Sequence, residues 1–158
     1  FYTTSSCGVC GKASIEAIST KTQYHIENKA ELRDEVLFSL KAKLAEQQSL
    51  FSATGGIHAA AVFSENGALR VMHEDVGRHN ALDKLIGEAF RSQMLPLQKS
   101  ILLLSGRASF ELIQKATMAG IGTIVSVGAP SSLAVDLARE NGQTLLGFLK
   151  ESSCNEYS

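Results

Sequence analysis

Two cysteines stand near the start of the chain, in Ser5-Ser6-Cys7-Gly8-Val9-Cys10-Gly11-Lys12. Their serine and glycine neighbours leave sulfur accessible, and Lys12 places a cation just beyond them. A nearby cation and the free N–H groups of a turn favour thiolate, the nucleophilic form, over thiol. Taken alone, the pair fits half of a zinc site, a redox disulfide, a sulfur nucleophile or two incidental thiols. Zinc is the hardest of these to complete. Cys7, Cys10, His58 and Cys154 are enough donors on paper, but no second Cys-x-x-Cys and no closely spaced histidine pair accompanies them. Structural zinc sites are built from such pairs, so no metal is expected.

A second kind of chemistry is suggested by three turns of similar composition. Glu74-Asp75-Val76-Gly77-Arg78-His79-Asn80, Ser105-Gly106-Arg107-Ala108-Ser109 and Gly128-Ala129-Pro130-Ser131-Ser132 each combine glycine with hydroxyl, cationic or amide side chains before a helical pattern. Helix N-termini present free N–H groups and a positive dipole end, which suit phosphate. In a parallel α/β sheet such turns share the edge at the carboxyl ends of the strands, where ligands bind. Simple capping explains any one turn; three in succession point to a phosphorylated ligand. Thr54-Gly55-Gly56-Ile57-His58 adds a glycine pair followed by an imidazole. His79 is the stronger histidine candidate, and Glu74 and Asp75 are placed to orient a basic group. No P-loop or dinucleotide fingerprint is present.

Composition narrows the classes. The 158 residues suffice for one well-cored domain, and 44% hydrophobic with 20% charged residues is ordinary for a globular protein. A net charge of −1 gives no broad attraction to nucleic acid or an anionic membrane. No apolar run reaches membrane-spanning length and no signal peptide is visible. Three cysteines are too few for a secreted disulfide scaffold, and a reducing cytoplasm fits. The first residue is Phe1, and almost nothing precedes the cysteine pair; an upstream segment is expected.

The elements that must position these residues follow from periodicity. Residues 1–29 read as the cysteine loop and a connection, and residues 30–158 as an α/β domain. Residues 30–50 carry an apolar helical stripe of Leu32, Val36, Leu37, Leu40 and Leu44, with Asn28 as its N-cap. Residues 59–63 and 68–73 form a hairpin about Asn66-Gly67. A helix through Phe90 buries Leu82, Leu85, Ile86, Ala89 and Phe90. Strands at 100–104, 122–127 and 143–149 then alternate with helices ending at Ala119 and Glu140, and a polar tail carries Cys154. This order implies a three-layer α/β architecture with a mixed sheet, parallel in its second half.

Together the five quoted stretches, extended by Ala81, Leu104 and the run Ser126-Val127, resemble the FdhD family of formate dehydrogenase accessory sulfurtransferases. The resemblance spans nearly the whole chain, in order. It implies a cytidine deaminase-like fold and a cytoplasmic sulfurtransferase. Sulfur would pass as a cysteine persulfide from a cysteine desulfurase to the molybdenum cofactor, bis-molybdopterin guanine dinucleotide, before its insertion into formate dehydrogenase. Cys7 would carry the persulfide, Cys10 would receive or resolve it, and Lys12 would stabilise the thiolate. His58, Arg78, His79, Arg107, Ser109 and Ser131 would hold the cofactor, with a guanine nucleotide as its mimic. The family's final strand leads into a basic, glycine-containing cofactor segment. Here it reads Phe148-Leu149-Lys150-Glu151-Ser152-Ser153-Cys154-Asn155-Glu156-Tyr157, which assigns Phe148, Lys150, Ser152 and Ser153 to the cofactor although the glycine is missing. A homodimer is also implied, with neither nucleic acid nor membrane as partner. Two other classes compete: a cofactor-binding chaperone without chemistry, and a zinc nucleoside deaminase. The second needs a histidine–glutamate pair at one helix start and Pro-Cys-x-x-Cys at another; Arg78-His79-Asn80 and Gly106-Arg107-Ala108-Ser109 stand there instead.

Overall fold

The computed structural model describes residues 22–158. Cys7, Cys10 and Lys12 therefore lie outside the described residues. The chain forms α1 (Asp34–Gln47), α2 (Ser49–Thr54), β1 (His58–Ser64), β2 (Leu69–Asp75), α3 (Arg78–Arg91), β3 (Ser100–Leu104), α4 (Phe110–Met118), β4 (Thr123–Ser126), α5 (Ser132–Glu140), β5 (Thr144–Gly147) and β6 (Asn155–Glu156). The six strands make one sheet in the order β2-β1-β3-β4-β5-β6. β1 is antiparallel to β2 and β3, β3–β4–β5 are parallel, and β6 closes the far edge antiparallel to β5.

Side chains alternate across a strand, and this alternation sorts the core into two clusters. Ala60, Val62, Leu102, Leu104, Ile124 and Leu145 face α3, α4 and α5. Ala59, Ala61, Phe63, Ile101, Leu103, Val125 and Leu146 face α1. The result is the expected three-layer α/β arrangement with a mixed sheet. All five residues of β3 are buried, as a continuous apolar run demands of a central strand. Each fully buried leucine stabilises by about 1.5–3 kcal/mol.

The two ends of the hairpin are fixed by backbone chemistry. Gly67 takes φ +73° at the turn after Asn66, and Lys43 of α1 donates to its carbonyl at 2.6 Å. At the other end, Asp75 accepts from the Gly77 N–H at 2.9 Å and from the Asn80 amide at 3.2 Å. It also pairs with Lys84. The Lys84 hydrogen bond, with those from Gly77 and Asn80, holds the Asp75 carboxyl down to about 2. That contribution to stability is complete above the unfolded carboxylate value and is lost as pH falls through about 2.

Four details depart from the sequence expectation. The first helix is broken: α1 starts at Asp34 after Arg33 rather than at Asn28, and Gln48 (φ −80°, ψ 73°) separates it from α2. Glu74 causes the second start, accepting from the N–H groups of Leu50 at 3.0 Å and Phe51 at 2.9 Å. Glu74 and Asp75 thus hold backbone and lysine rather than orienting a functional histidine. Phe90 is 71% exposed, because Leu82, Leu85 and Ala89 already fill the buried stripe of α3. The polar tail adds β6, held where Arg139 donates twice to the Tyr157 carbonyl, at 3.1 and 2.9 Å.

The parallel strands carry their turns side by side. Beyond β3 and β4, Val127 N–H donates to the Leu104 carbonyl at 2.9 Å, Gly128 to Gly106 at 3.0 Å, Ala108 to Ala129 at 3.2 Å and Ser131 to Ala108 at 3.0 Å. This approach requires glycine at 128: an added Cβ would sit 2.9 Å from the Arg107 nitrogen and 3.0 Å from its Cα. Gly128→Ala should therefore destabilise the protein by about 1–3 kcal/mol, the usual cost of overpacking. Urea unfolding checks this, and an unchanged midpoint would show that the turns are not clamped.

Candidate functional site: an arginine pocket at the sheet edge

The starts of α3, α4 and α5 converge where the parallel strands end. α3 begins at Arg78 after Gly77, α4 at Phe110 after Ser109, and α5 at Ser132 after Ser131. Ser131 caps its helix, accepting from the Ala134 N–H at 3.2 Å. Between these turns lies a cavity of about 290 Å³ lined by Arg78, Arg107, Ser109, Pro130 and Ser131, together with Ala108 and Ala129. Four of the candidate residues named from sequence thus line one pocket.

Its electrostatics are unusual. The Nε of Arg78 is buried and has no hydrogen-bond partner among the described residues. A guanidinium stays charged at any working pH, and a buried polar group without a partner costs about 1–3 kcal/mol. Arg107 is exposed along the pocket's rim. The walls therefore offer cationic forks, hydroxyls and helix N-termini converging on one small volume, the chemistry of an oxyanion site.

His79 stands beside the pocket. Its Nε2 lies 3.3 Å from the Ser109 hydroxyl and 3.9 Å from a Glu111 oxygen. Burial, with the Arg78 charge beside it, pushes the imidazole below the ordinary histidine value. Burial works against the Glu111 carboxylate, but hydrogen bonds from Ser109 and its own backbone, with the His79 and Arg78 charges, outweigh it and lower its pKa. Glu111 escaped the sequence reading. Its only signal was its place in the first turn of α4, just after the Ser109 cap.

The other candidates lie elsewhere. His58 lines a second cavity, of about 440 Å³. Its imidazole packs over Gly106, where an added Cβ would meet ring atoms at 3.1 Å. Phe148 is exposed, with φ +54°, and its N–H donates to the Gly128 carbonyl at 3.1 Å. This sets it along the same edge. Lys150, Ser152 and Ser153 are exposed in the following turn, closed by Lys150 N–H to the Ser153 carbonyl at 2.8 Å. Cys154 is partly buried, and burial raises its thiol pKa, helped by Asp34 and Glu156. Among the described residues no three histidine, cysteine or acidic side chains gather as metal ligands, and no helix is long and apolar enough to cross a membrane.

A model of the FdhD/NarQ family matches residues 1–158. The chain belongs to the FdhD/NarQ family. A sulfur carrier protein FdhD of Streptomyces avermitilis is 56% identical over 99% of this chain and 56% of its own length. That of Mycobacterium tuberculosis is 52% identical over 100% and 58%, and that of Picrophilus torridus 44% identical over 100% and 60%. The chain thus spans a little over half the length of these FdhD relatives. A formate dehydrogenase accessory protein of Desulfotalea psychrophila, solved by crystallography, superposes with a TM-score of 0.78 at 29% identity, over 85% of this chain and 57% of that one. A guanine deaminase of Nitrosomonas europaea superposes with a TM-score of 0.52 at 15% identity, over 79% and 82% of the two chains. At that identity the likeness concerns the fold alone, which is the expected cytidine deaminase-like one.

A histidine titration followed by NMR tests the site's electrostatics. His79 should titrate below the ordinary histidine value, and Arg78→Ala should move its midpoint upward. Protonation of His79 then works against folding as pH falls, because the unfolded chain binds that proton more readily. A midpoint left in place by Arg78→Ala would mean that the two side chains do not share one field.

Proposed function

We propose that this chain is the sulfur-carrying and cofactor-binding part of a formate dehydrogenase accessory sulfurtransferase. One observation carries the cofactor half: the buried, unpartnered Arg78 Nε in a pocket lined by Arg107, Ser109 and Ser131. A phosphate oxygen would complete that nitrogen, and a second oxygen would meet the Arg107 fork. The cargo in this reading is bis-molybdopterin guanine dinucleotide, its phosphates in the arginine pocket. Phe148, Lys150, Ser152 and Ser153 would take part from the exposed turn along the same edge. The sulfur half is supported by the relatives' name, sulfur carrier protein, and by the Cys-x-x-Cys spacing of Cys7 and Cys10 in the sequence.

The chemistry balances without a metal in the protein. Cys7 thiolate attacks the terminal sulfur of a persulfide on a cysteine desulfurase. The S–S bond there breaks, the desulfurase cysteine leaves as thiolate, and Cys7 holds the persulfide. Cys10 thiolate then attacks the Cys7 sulfur. A Cys7–Cys10 disulfide forms and the outer sulfur leaves as sulfide, to be taken up by the molybdenum of the cargo. Oxidation of the two thiolates supplies the two electrons, and a dithiol reductant resets the pair. Lys12 would lower the cost of the thiolate state.

Mass spectrometry after incubation with a cysteine desulfurase and cysteine tests this reading. Wild type and Cys154→Ala should gain one sulfur atom, Cys7→Ala none, and Cys10→Ala should retain a persulfide that it cannot release. A chain that never acquires sulfur, while still binding the cofactor, would be a chaperone instead.

A further inference from the structure

Glu111 stands where a negative charge is disfavoured. Its side chain is only 19% exposed, and burial works against the ionised form. It stays ionised because the Ser109 hydroxyl and its own backbone N–H bond the carboxylate, with His79 and Arg78 close by. Its place in the first turn of α4 suits the helix dipole. An acid facing solvent in that turn would serve the dipole without the burial, so the dipole alone does not account for this one.

The carboxylate acts on the arginine pocket through Ser109, which lines it. A carboxylate only accepts, so Ser109 spends its single proton on Glu111. The Ser109 oxygen then accepts from the His79 Nε2, 3.3 Å away, and turns lone pairs rather than a proton toward the pocket. An anion resting against that oxygen would stand about two hydrogen-bond lengths, roughly 5–6 Å, from the Glu111 charge. Arg78 and Arg107 are the cations that line the pocket. Lys115 and Asp83 face the same cluster and pair with each other. The field on a bound anion is thus that of two arginines reduced by one acid, in a partly buried site that salt screens little.

Such a field sorts phosphates by charge. A terminal phosphate carries about −1.5 to −2 near pH 7, whereas a phosphate that bridges two groups has a single ionised oxygen. We infer that Glu111 determines which phosphate the arginine pocket accepts: a bridging one, with one negative charge on each phosphorus, over a terminal one. This rests on the phosphate reading of the pocket and narrows its ligand class to a pyrophosphate that joins two organic groups.

Calorimetry on the full chain with two probes isolates the charge. Guanosine diphosphate and its terminal methyl ester share base, sugar and both phosphorus atoms, and differ by one ionisable oxygen. Measured above the second ionisation of the terminal phosphate, wild type should bind the ester at least as tightly as the diphosphate. Glu111→Gln keeps the size of the side chain and its acceptor for Ser109 but removes the charge. It should raise the preference for the diphosphate over the ester about threefold or more, the scale of one nearby charge at a partly solvated site, chiefly by tightening the diphosphate. If Glu111 served only α4, the variant would lower the thermal midpoint and leave that preference in place. A smaller change in preference, with both probes still bound, overturns the inference and leaves the phosphate reading standing. Should Glu111→Gln not fold, wild type decides alone, and tighter binding of the diphosphate than of the ester overturns the inference. If wild type binds neither probe nor pyrophosphate, the phosphate reading falls and the selectivity falls with it.

Discussion

Everything at the site depends on the parallel register of β3 and β4. Ile101 pairs with Thr123 and Leu104 with Ser126, so both strands end at the same level. Their turns continue as a zipped pair, closed by the parallel bridge between Ala108 and Pro130. Arg107 and Ser131 thereby face one volume, into which α3 brings Arg78 from a different part of the chain. A one-residue slip would turn every β4 side chain to the opposite face. The burial of Ile124 toward one layer and Val125 toward the other forbids it. The core thus specifies the pocket indirectly, through register.

Under the proposed function, the pocket is what would let a chain of net charge −1 hold a multiply charged ligand. Long-range attraction is absent, so affinity must come from donors fixed before the ligand arrives. Burying Arg78 Nε without a partner costs the free protein stability, and in the proposed reading a bound oxygen would recover that cost. The His79 imidazole, whose charged form is disfavoured by burial and by Arg78, stands beside the pocket as a further polar group. Glu111 sits close enough to His79 to steady it without lining the pocket itself.

Much of this was legible in the sequence because the signals were local. β3 spans the same residues as its apolar run, and Asn66-Gly67 and Asn141-Gly142 end elements as their glycines, at φ +73° and +65°, require. The three turns were recognisable by composition. What escaped was imposed from a distance. The break at Gln48 has no proline or glycine; it arises because Glu74, 24 residues from Leu50, captures the α2 N–H groups. β6 is only two polar residues long and exists because β5 offers it an edge. His58, which the resemblance assigns to the cofactor together with Arg78 and Arg107, packs on Gly106 and lines the neighbouring cavity rather than the arginine pocket. No periodicity reports on which side of a turn a ring will lie.

The central claim is that the unpartnered Arg78 nitrogen belongs to a ligand oxygen. Proton–nitrogen correlation spectra of the arginine Nε–H groups read this atom directly during a pyrophosphate titration. The account predicts that the Arg78 resonance moves downfield and saturates, while Arg139, whose Nε already donates to the Tyr157 carbonyl, stays in place. An Arg78 resonance that remains unmoved at saturating pyrophosphate would contradict it.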